Sequence, residues 1–421
     1  VKLAFSLSLA ILCAIPCAAS AQEQASGQAP DGSQREVIEV IGTTPLGGAG
    51  IDRNKIPGIV ESVTSDAFES THSMSPLDTL AQRVPGINLN DVQGNDFFQD
   101  LRYHGFSASP LQGTAQGIAV YMNGVRLNEA FGDTVNWDMI PEDAIDRADI
   151  WTNNPVFGLN ALGGAVNLQM KNGFTWHGLE AEIQGGSYGR ISGTVQYGIN
   201  TGEFSFYVAA HGLTDGGWRY QSASDEESIY ADGGYRTEDA EFHLIAAAGR
   251  SSLGVIGPTP VDLIALDQRA IFTWPQTTRN EVGSLALDGQ IDLGQGWSLR
   301  GNIYGRHFSQ RHVDGNDGDF EGCGSRSSFG GDLCLEDDAF GTPPGGKTTA
   351  FRNQFVIQDQ GGGTFPFNDD IVYGTVDRTS TETTSVGGSL QASNESPIFG
   401  HGNNFVIGAS IDHSDITFTS G

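Results

Sequence analysis

The chain has 421 residues, of which 22 are basic and 51 acidic, giving a formal charge of −29, and 58 are glycine. So acidic a surface repels phosphate backbones and acidic membrane faces, which excludes nucleic-acid binding as a function class. With 38% hydrophobic and 17% charged residues, the composition suits strands that alternate an apolar and a mildly polar face, and it leans towards a β-rich secreted protein.

In chain order, the first feature is a secretory signal: Lys2, an apolar run from Leu3 to Cys17, and the small-x-small site Ala19-Ser20-Ala21. The run is shorter than the ~20 residues a spanning helix needs, and no positive stop follows it. Residues 1–21 are expected to be removed, with Gln22 starting the mature chain. No other segment is long and apolar enough for a spanning helix, so insertion into a membrane has to take the form of a barrel. Residues 22–50 read as a disordered lead, rich in Gln, Ser, Gly and Pro as far as Arg35. It is broken by one β-branched island, Glu36, Val37, Ile38, Glu39, Val40, Ile41 and Gly42. The island is either the first strand of the next domain or an exposed strand that a partner adopts by edge pairing.

Residues 51–173 read as a small α+β domain. Ser75 caps a helix with Pro76 in its first turn; Leu77, Leu80, Ala81 and Val84 recur at helical spacing, and Pro85-Gly86 ends it. Ile118, Val120 and Met122 alternate up to the turn pair Asn123-Gly124, the signature of a hairpin. Pro141 is expected to open a short helix through Ile145, and residues 165–168 a strand. From about residue 178 the pattern becomes period two and stays so to the end, in about nine runs. Short connections (200–203, 236–239, 293–296 and 394–402) mostly alternate with long ones (214–227, 250–280 and 310–382), which is the asymmetry of an outer-membrane barrel and not of a soluble sandwich. Cleavage of the signal leaves Cys323 and Cys334, eleven positions apart in one outward loop, and a disulfide between them is expected.

Several ordered stretches resemble the TonB-dependent outer-membrane receptors. The island at 36–42 resembles the TonB box, and residues 80–87 (LAQRVPGI) are similar to the first plug motif. Arg102 to Gly105 stands where the family has an Arg-Gly-Phe-like element, Tyr103 and His104 interrupting the spacing; residues 120–125 match the plug hairpin, and residues 161–167, with Gly163 and Gly164, match the plug's end. The resemblance implies a plug followed by antiparallel strands of a 22-stranded transmembrane barrel, of which 174–421 would supply about nine. Nine strands cannot enclose a plug, so the chain is expected to be the N-terminal portion of a longer receptor. It also implies residence in the outer membrane of a Gram-negative bacterium, contact with its lipid, a periplasmic TonB-type energy-transducing partner, a small ligand arriving from outside, no resident cofactor and no enzymatic activity. The competing classes are an outer-membrane hydrolase and a passive porin.

Two plug stretches mix rings with amides and carboxylates and are the candidates for ligand contact: Asn95, Asp96, Phe97, Phe98 and Gln99, then Asp133, Asn136 and Trp137. The cargo class stays open among a ferric chelate, a cobalamin-like compound and an oligosaccharide. Asp314, Asn316, Asp317 and Asp319 form an acidic, glycine-broken run that could wrap calcium, though it lacks the distant bidentate glutamate of an EF-hand. Residues 341–348 spell a phosphate-binding loop but lie in an acidic connection with two internal prolines, not between a strand and a helix. Residues 185–189 spell a nucleophile elbow around Ser187, yet a second alternating strand begins at once, so a hairpin turn is the better reading. His72 and His104 read as hydrogen-bonded residues, there being no close histidine pair at metal-ligand spacing.

Overall fold

A computed structural model describes residues 40–47, 50–56, 58–152, 154–336 and 346–421. The signal sequence, residues 36–39 of the island and residues 341–345 of the loop motif lie outside the described residues.

The first domain opens with β1 (Val40–Ile41) paired antiparallel to β2 (Ile51–Asp52), followed by β3 (Val60–Thr64), α1 (Ser65–Thr71) and α2 (Pro76–Arg83). In α2 the Ser75 hydroxyl accepts from the Leu77 N–H at 3.3 Å, and Pro76 fills a first-turn position where a missing N–H costs nothing. Leu77 and Leu80, three residues apart on one face, are fully buried. Strands β4 (Ile87–Asp91), β5 (Gln99–Tyr103) and β6 (Phe106–Ala108) form a three-stranded sheet. Strands β7 (Ile118–Met122), β8 (Val125–Arg126), β9 (Ile145–Trp151) and β10 (Gly164–Met170) join β3 in a five-stranded sheet ordered β3-β9-β10-β7-β8, with only β7 and β10 parallel.

Two hairpins in this domain turn on a pair of residues that both have positive φ. Asn123 (47°) and Gly124 (77°) link β7 to β8, and His104 (49°) and Gly105 (86°) link β5 to β6. His104 thus completes a turn, its ring edge-on to Tyr103 at 4.2 Å. The helix expected from Pro141 to Ile145 is a single 3-10 turn, Glu142–Ala144, because Ile145 is already taken into β9.

The second domain is one antiparallel sheet of nine strands, each hydrogen-bonded to its neighbours in sequence: β11 (Gly178–Gly185), β12 (Ile191–Asn200), β13 (Phe204–Asp215), β14 (Ser224–Arg236), β15 (Ala240–Gly254), β16 (Gln276–Gly294), β17 (Trp297–Asp317), β20 (Gly374–Asn394) and β21 (Phe405–Ser420). A small hairpin, β18 (Phe320–Gly322) with β19 (Leu333–Leu335), sits between β17 and β20. Alternation sorts the faces: along β12, Ser192 and Gln196 are buried towards the first domain while Val195, Tyr197 and Ile199 are exposed on the other side. At one end the strands are joined by residues 201–203, 237–239, 295–296 and 395–404; at the other by 186–190, 216–223, 255–275 and 318–373. A row of outward rings marks the short-turn end, where Phe204 stands opposite Tyr235 (5.0 Å between centroids) and Tyr235 opposite Phe242. Among the described residues no helix is long and apolar enough to cross a membrane.

The long connection expected at 310–382 is shorter than that. Pairing between β17 and β20 runs on from Trp297↔Asn394 to Asp317↔Gly374, twice the ~10 residues that cross a bilayer, and the true loop is 318–373. Within it Cys323 and Cys334 are joined as a disulfide with Cα atoms 5.0 Å apart.

Gly163 and Gly164, where β10 begins, are fixed by space. A methyl on Gly163 would lie 2.2 Å from the Phe106 ring, and one on Gly164 2.2 Å from the Trp151 carbonyl oxygen. Gly164→Ala is therefore expected to lower stability by about 2 kcal/mol or more, read as a reduced denaturation midpoint, whereas Gly283→Ala, which meets open space, leaves it unchanged.

Candidate functional site

Three parts of the first domain face outwards from its core: the N-terminal strand, the apex at 92–98 and the side that borders β17, β20 and β21. At the N-terminus, Ile41 is fully buried among Val60, Ala119, Tyr121, Trp151 and Phe157. The chain then makes a tight turn in which Gly47 N–H donates to the Thr44 carbonyl at 2.9 Å. Two side chains hold that turn from outside, Asn154 Nδ2 on the Thr43 carbonyl and Arg300 Nη1 of β17 on the Leu46 carbonyl, both at 3.3 Å. Of the candidate island, then, Val40 and Ile41 form β1 and Gly42 follows it; Ile41 anchors the strand in the core, and long hydrogen bonds hold the turn behind it.

The apex is tied to the wall at the long-loop end. Asn95 Nδ2 donates to Ser224 Oγ (2.8 Å) and to the Gly254 carbonyl (2.9 Å), and Ile256 N–H donates to the Gln93 carbonyl (2.7 Å). Asp96 is exposed and paired with Arg190 at 3.0 Å; Arg190 also pairs with Asp215 and lies over the Phe97 ring at 5.1 Å. Phe97 and Phe98 were expected to offer rings to a ligand, but they are buried with Leu213, Leu253 and Val255, because the apex is pressed against the wall. Gln99 is likewise buried, donating to Asp91 at 3.0 Å.

The second candidate stretch divides. Trp137 is buried with its Nε1 donating to the Ala108 carbonyl at 3.1 Å, and Asn136 is buried beside it, so neither faces solvent. Asp133 faces a cavity of ≈ 1090 Å³ between the β7–β8 hairpin and the wall, lined also by Tyr121, Arg126, Tyr304, Arg306 and Asp412, with residues 43–46 on its border. Arg126 pairs with Asp133 at 2.5 Å. Across the cavity Arg306 pairs with Glu129 at 2.6 Å, both almost wholly buried; burial pushes the Glu129 carboxyl up and Arg306 opposes the shift. The structure therefore does not unite the two predicted stretches in one site: Asn95 and Asp96 stand at the apex, Asp133 on the flank.

Sequence reasoning missed the carboxylates that join the two domains. Asp138 accepts from Ser251 (2.6 Å) and Asn280 (2.9 Å) of the wall, and Asp143 accepts from Thr194 (2.7 Å) with His211 3.7 Å away. Burial alone would raise Asp143, but His211 and Thr194 outweigh it and hold the group low. No motif marks these residues; the only local sign is three acids clustered beside Pro141.

Of the remaining candidates, Arg102 contacts Asp100 at 3.4 Å and His72 contacts Glu182 at 3.1 Å. Ser187 lies in the 3-10 turn between β11 and β12, with a strand and no helix after it. The calcium reading required Asp314, Asn316, Asp317 and Asp319 to wrap as a loop; instead the first three are in β17, where alternation sends neighbours to opposite faces. Asn316 Nδ2 donates to Asp314 and Asp377, and among the described residues no group of three or more His, Cys, Asp or Glu side chains is placed to hold a metal ion.

Residues 52–165 match the family model of the TonB-dependent Receptor Plug Domain. A comparison with curated proteins yields no match. Among solved structures the chain is similar to BauA, the ferric preacinetobactin receptor of Acinetobacter baumannii, at TM-score 0.61 and 12% identity, covering 91% of this chain and 50% of that one. It is similar to the pyoverdine outer membrane receptor FpvA of Pseudomonas aeruginosa PAO1 at TM-score 0.61 and 13% identity, covering 92% and 52%. The ferric citrate transporter FecA matches at TM-score 0.51 and 13% identity, covering 87% and 61%. The chain thus spans about half the length of the first two, and at such identity the likeness is one of fold.

The apex contacts give a direct test. Asn95→Ala removes both of its bonds to the wall and is expected to raise amide exchange across 92–98 by about tenfold or more, with exchange in the five-stranded sheet unchanged.

Proposed function

We propose that this chain, which carries the plug and part of the barrel wall of a TonB-dependent receptor, serves in the energised import of an anionic ferric chelate across the outer membrane of a Gram-negative bacterium. The observation that carries this reading is the path of the N-terminus. The chain enters the plug through β1, a strand of two residues paired only with another of two, and residues 43–46 just after it border a cavity between plug and wall. A periplasmic TonB-type partner pairing with Val37 to Val40 as an added strand would pull on an element held by the buried Ile41, the short pairing with β2 and a handful of hydrogen bonds at the Thr44 turn. The outward apolar face of the wall meets outer-membrane lipid.

The cargo class rests on two supports. The structurally similar receptors named above are receptors or transporters for preacinetobactin, pyoverdine and citrate complexes. In a chain of net charge −29, the outer loops nevertheless present Arg219 over the Trp218 ring (5.4 Å) and Arg269 over the Tyr220 ring (4.8 Å), with both rings largely exposed. Rings backed by guanidinium groups suit a flat, negatively charged chelate. Of the plug residues expected to touch ligand, Asp96 is exposed at the apex and Asp133 faces the flank cavity.

Proline at Ile38 removes an edge donor and disfavours strand geometry at Val37. In the full-length receptor, Ile38→Pro is expected to abolish accumulation of labelled ferric chelate while binding to the outer face stays within about twofold of wild type. Accumulation at the wild-type rate would replace energised import with a passive route; binding of a cobalamin-like compound or an oligosaccharide in preference to a ferric chelate would overturn the cargo.

A further inference from the structure

Where residues 137–144 of the plug meet the wall, three carboxylates converge. Asp138 and Glu142 from the plug and Glu226 from β14 line one cavity of ≈ 20 Å³, together with Ser73, His211 and Ser228. Each keeps a buried oxygen without a hydrogen-bond partner: Oδ1 of Asp138, Oε2 of Glu142 and Oε1 of Glu226. Glu226 is 5% exposed and Glu142 9%. Their other contacts are uncharged: Glu142 Oε1 accepts from Ser73 (2.6 Å) and Thr79 (2.7 Å), and Asp138 Oδ2 from Ser251 and Asn280.

The remaining charged groups do not neutralise the cluster. Asp78 faces it from α2 and Asp143 from the same segment, and both act on Glu142 as like charges. His211, on β13, stands against Asp143 at 3.7 Å. A cavity of this size accommodates about one water, and among the described residues no metal-holding group forms. A carboxyl this deeply buried, with a free oxygen and no ion-pair partner of its own, is favoured in its neutral, protonated form.

We propose that this seam is a proton-operated latch between plug and wall: with Asp138, Glu142 and Glu226 protonated, residues 137–144 seat against β14, and loss of those protons to solvent sets Glu226 against Asp138 and Glu142 against Asp143 and loosens that segment. The geometry stands on its own, and the direction of the titration agrees with it. Burial pushes Glu142 up to about 7, further than Ser73 and Thr79 pull it down; burial likewise raises Asp138. A carboxyl raised in the seated plug stabilises seating fully below its ordinary value of 4.5, and that contribution is lost as pH rises through about 7. The latch is therefore closed in acid and open in mild alkali. It does not depend on the identity of any cargo.

The test is amide exchange of residues 137–144 in the full receptor in detergent micelles, corrected for intrinsic exchange, between about pH 5.5 and about pH 8.5. Protection in wild type is expected to fall about tenfold across that range, and the profile to be flat in Glu142→Gln and Glu226→Gln, whose amides stay neutral. If Glu142→Gln fails to assemble, Glu226→Gln decides, since it lies on the wall and leaves the plug's own packing untouched. A flat wild-type profile, or a fall that persists in the variants that assemble, overturns the latch.

Discussion

Everything in this molecule depends on the two-residue period of the wall. Each strand turns one face outward and the other to the plug, and its backbone groups are satisfied sideways, by the next strand. The inner face is consequently lined by Ser192, Gln196, Asp232, Asn280, Gln310 and similar polar residues, and it cannot serve as a general apolar bed. The plug therefore carries its own core, built on Leu77, Leu80, Leu101, Ile118, Ile145 and Ile150, and meets apolar wall residues in two places, over Tyr207, Tyr230 and Ile245 and, at the apex, over Leu213 and Leu253. Elsewhere the contact is by a few ion pairs, such as Glu129 with Arg306, and by single hydrogen bonds such as Asn123 to Tyr230 (3.0 Å) and Gln112 to Thr381 (3.0 Å). Single bonds of this kind contribute about 1 kcal/mol each and can be given up to water one at a time, which suits a domain that is seated yet has to move.

Much of this was legible because the signals are local. Alternation located all nine wall strands, Ser75-Pro76 with Pro85-Gly86 delimited α2, and Asn123-Gly124 identified the β7–β8 hairpin. What escaped is what locality cannot carry. The outer halves of β17 and β20 extend past the apolar band, where both faces are polar and the period has no contrast, so His312 to Asp317 read as loop and suggested a calcium site. Phe97 and Trp137 look from sequence like rings offered to a ligand, and only the position of the wall shows that they are packing surface. Contacts such as Asn95 with Gly254 or Glu129 with Arg306 join residues more than 150 positions apart, and no spacing rule reaches them.

Charge is used differently on the two sides of the plug. Towards β17 and β20 the buried acid Glu129 is matched by Arg306, while towards β12 to β16 the acids Asp138, Glu142 and Glu226 are answered by hydroxyls, amides and one another. A paired charge keeps its ionisation across ordinary pH, whereas an unpaired cluster responds to it. The plug is thus held by one seam in which an arginine opposes protonation of the buried acid and another that lacks such a counter-charge, so loosening begins on a definite side.

In the outer-membrane seating proposed above, the row of rings at Phe204, Tyr235 and Phe242, close to the short turns, fixes the depth at which the wall floats, since such rings settle at the boundary between lipid tail and headgroup. Measured upward from that waterline, β17 with its 21 residues climbs about 50 Å when tilted at 45°, against an apolar band of about 25 Å. The pair β17–β20 is then a stiff mast standing clear of the lipid, with the disulfide-closed hairpin at its head. In that seating a molecule diffusing towards the cell would meet the mast-head well before the membrane, its first encounter set by the reach of two strands.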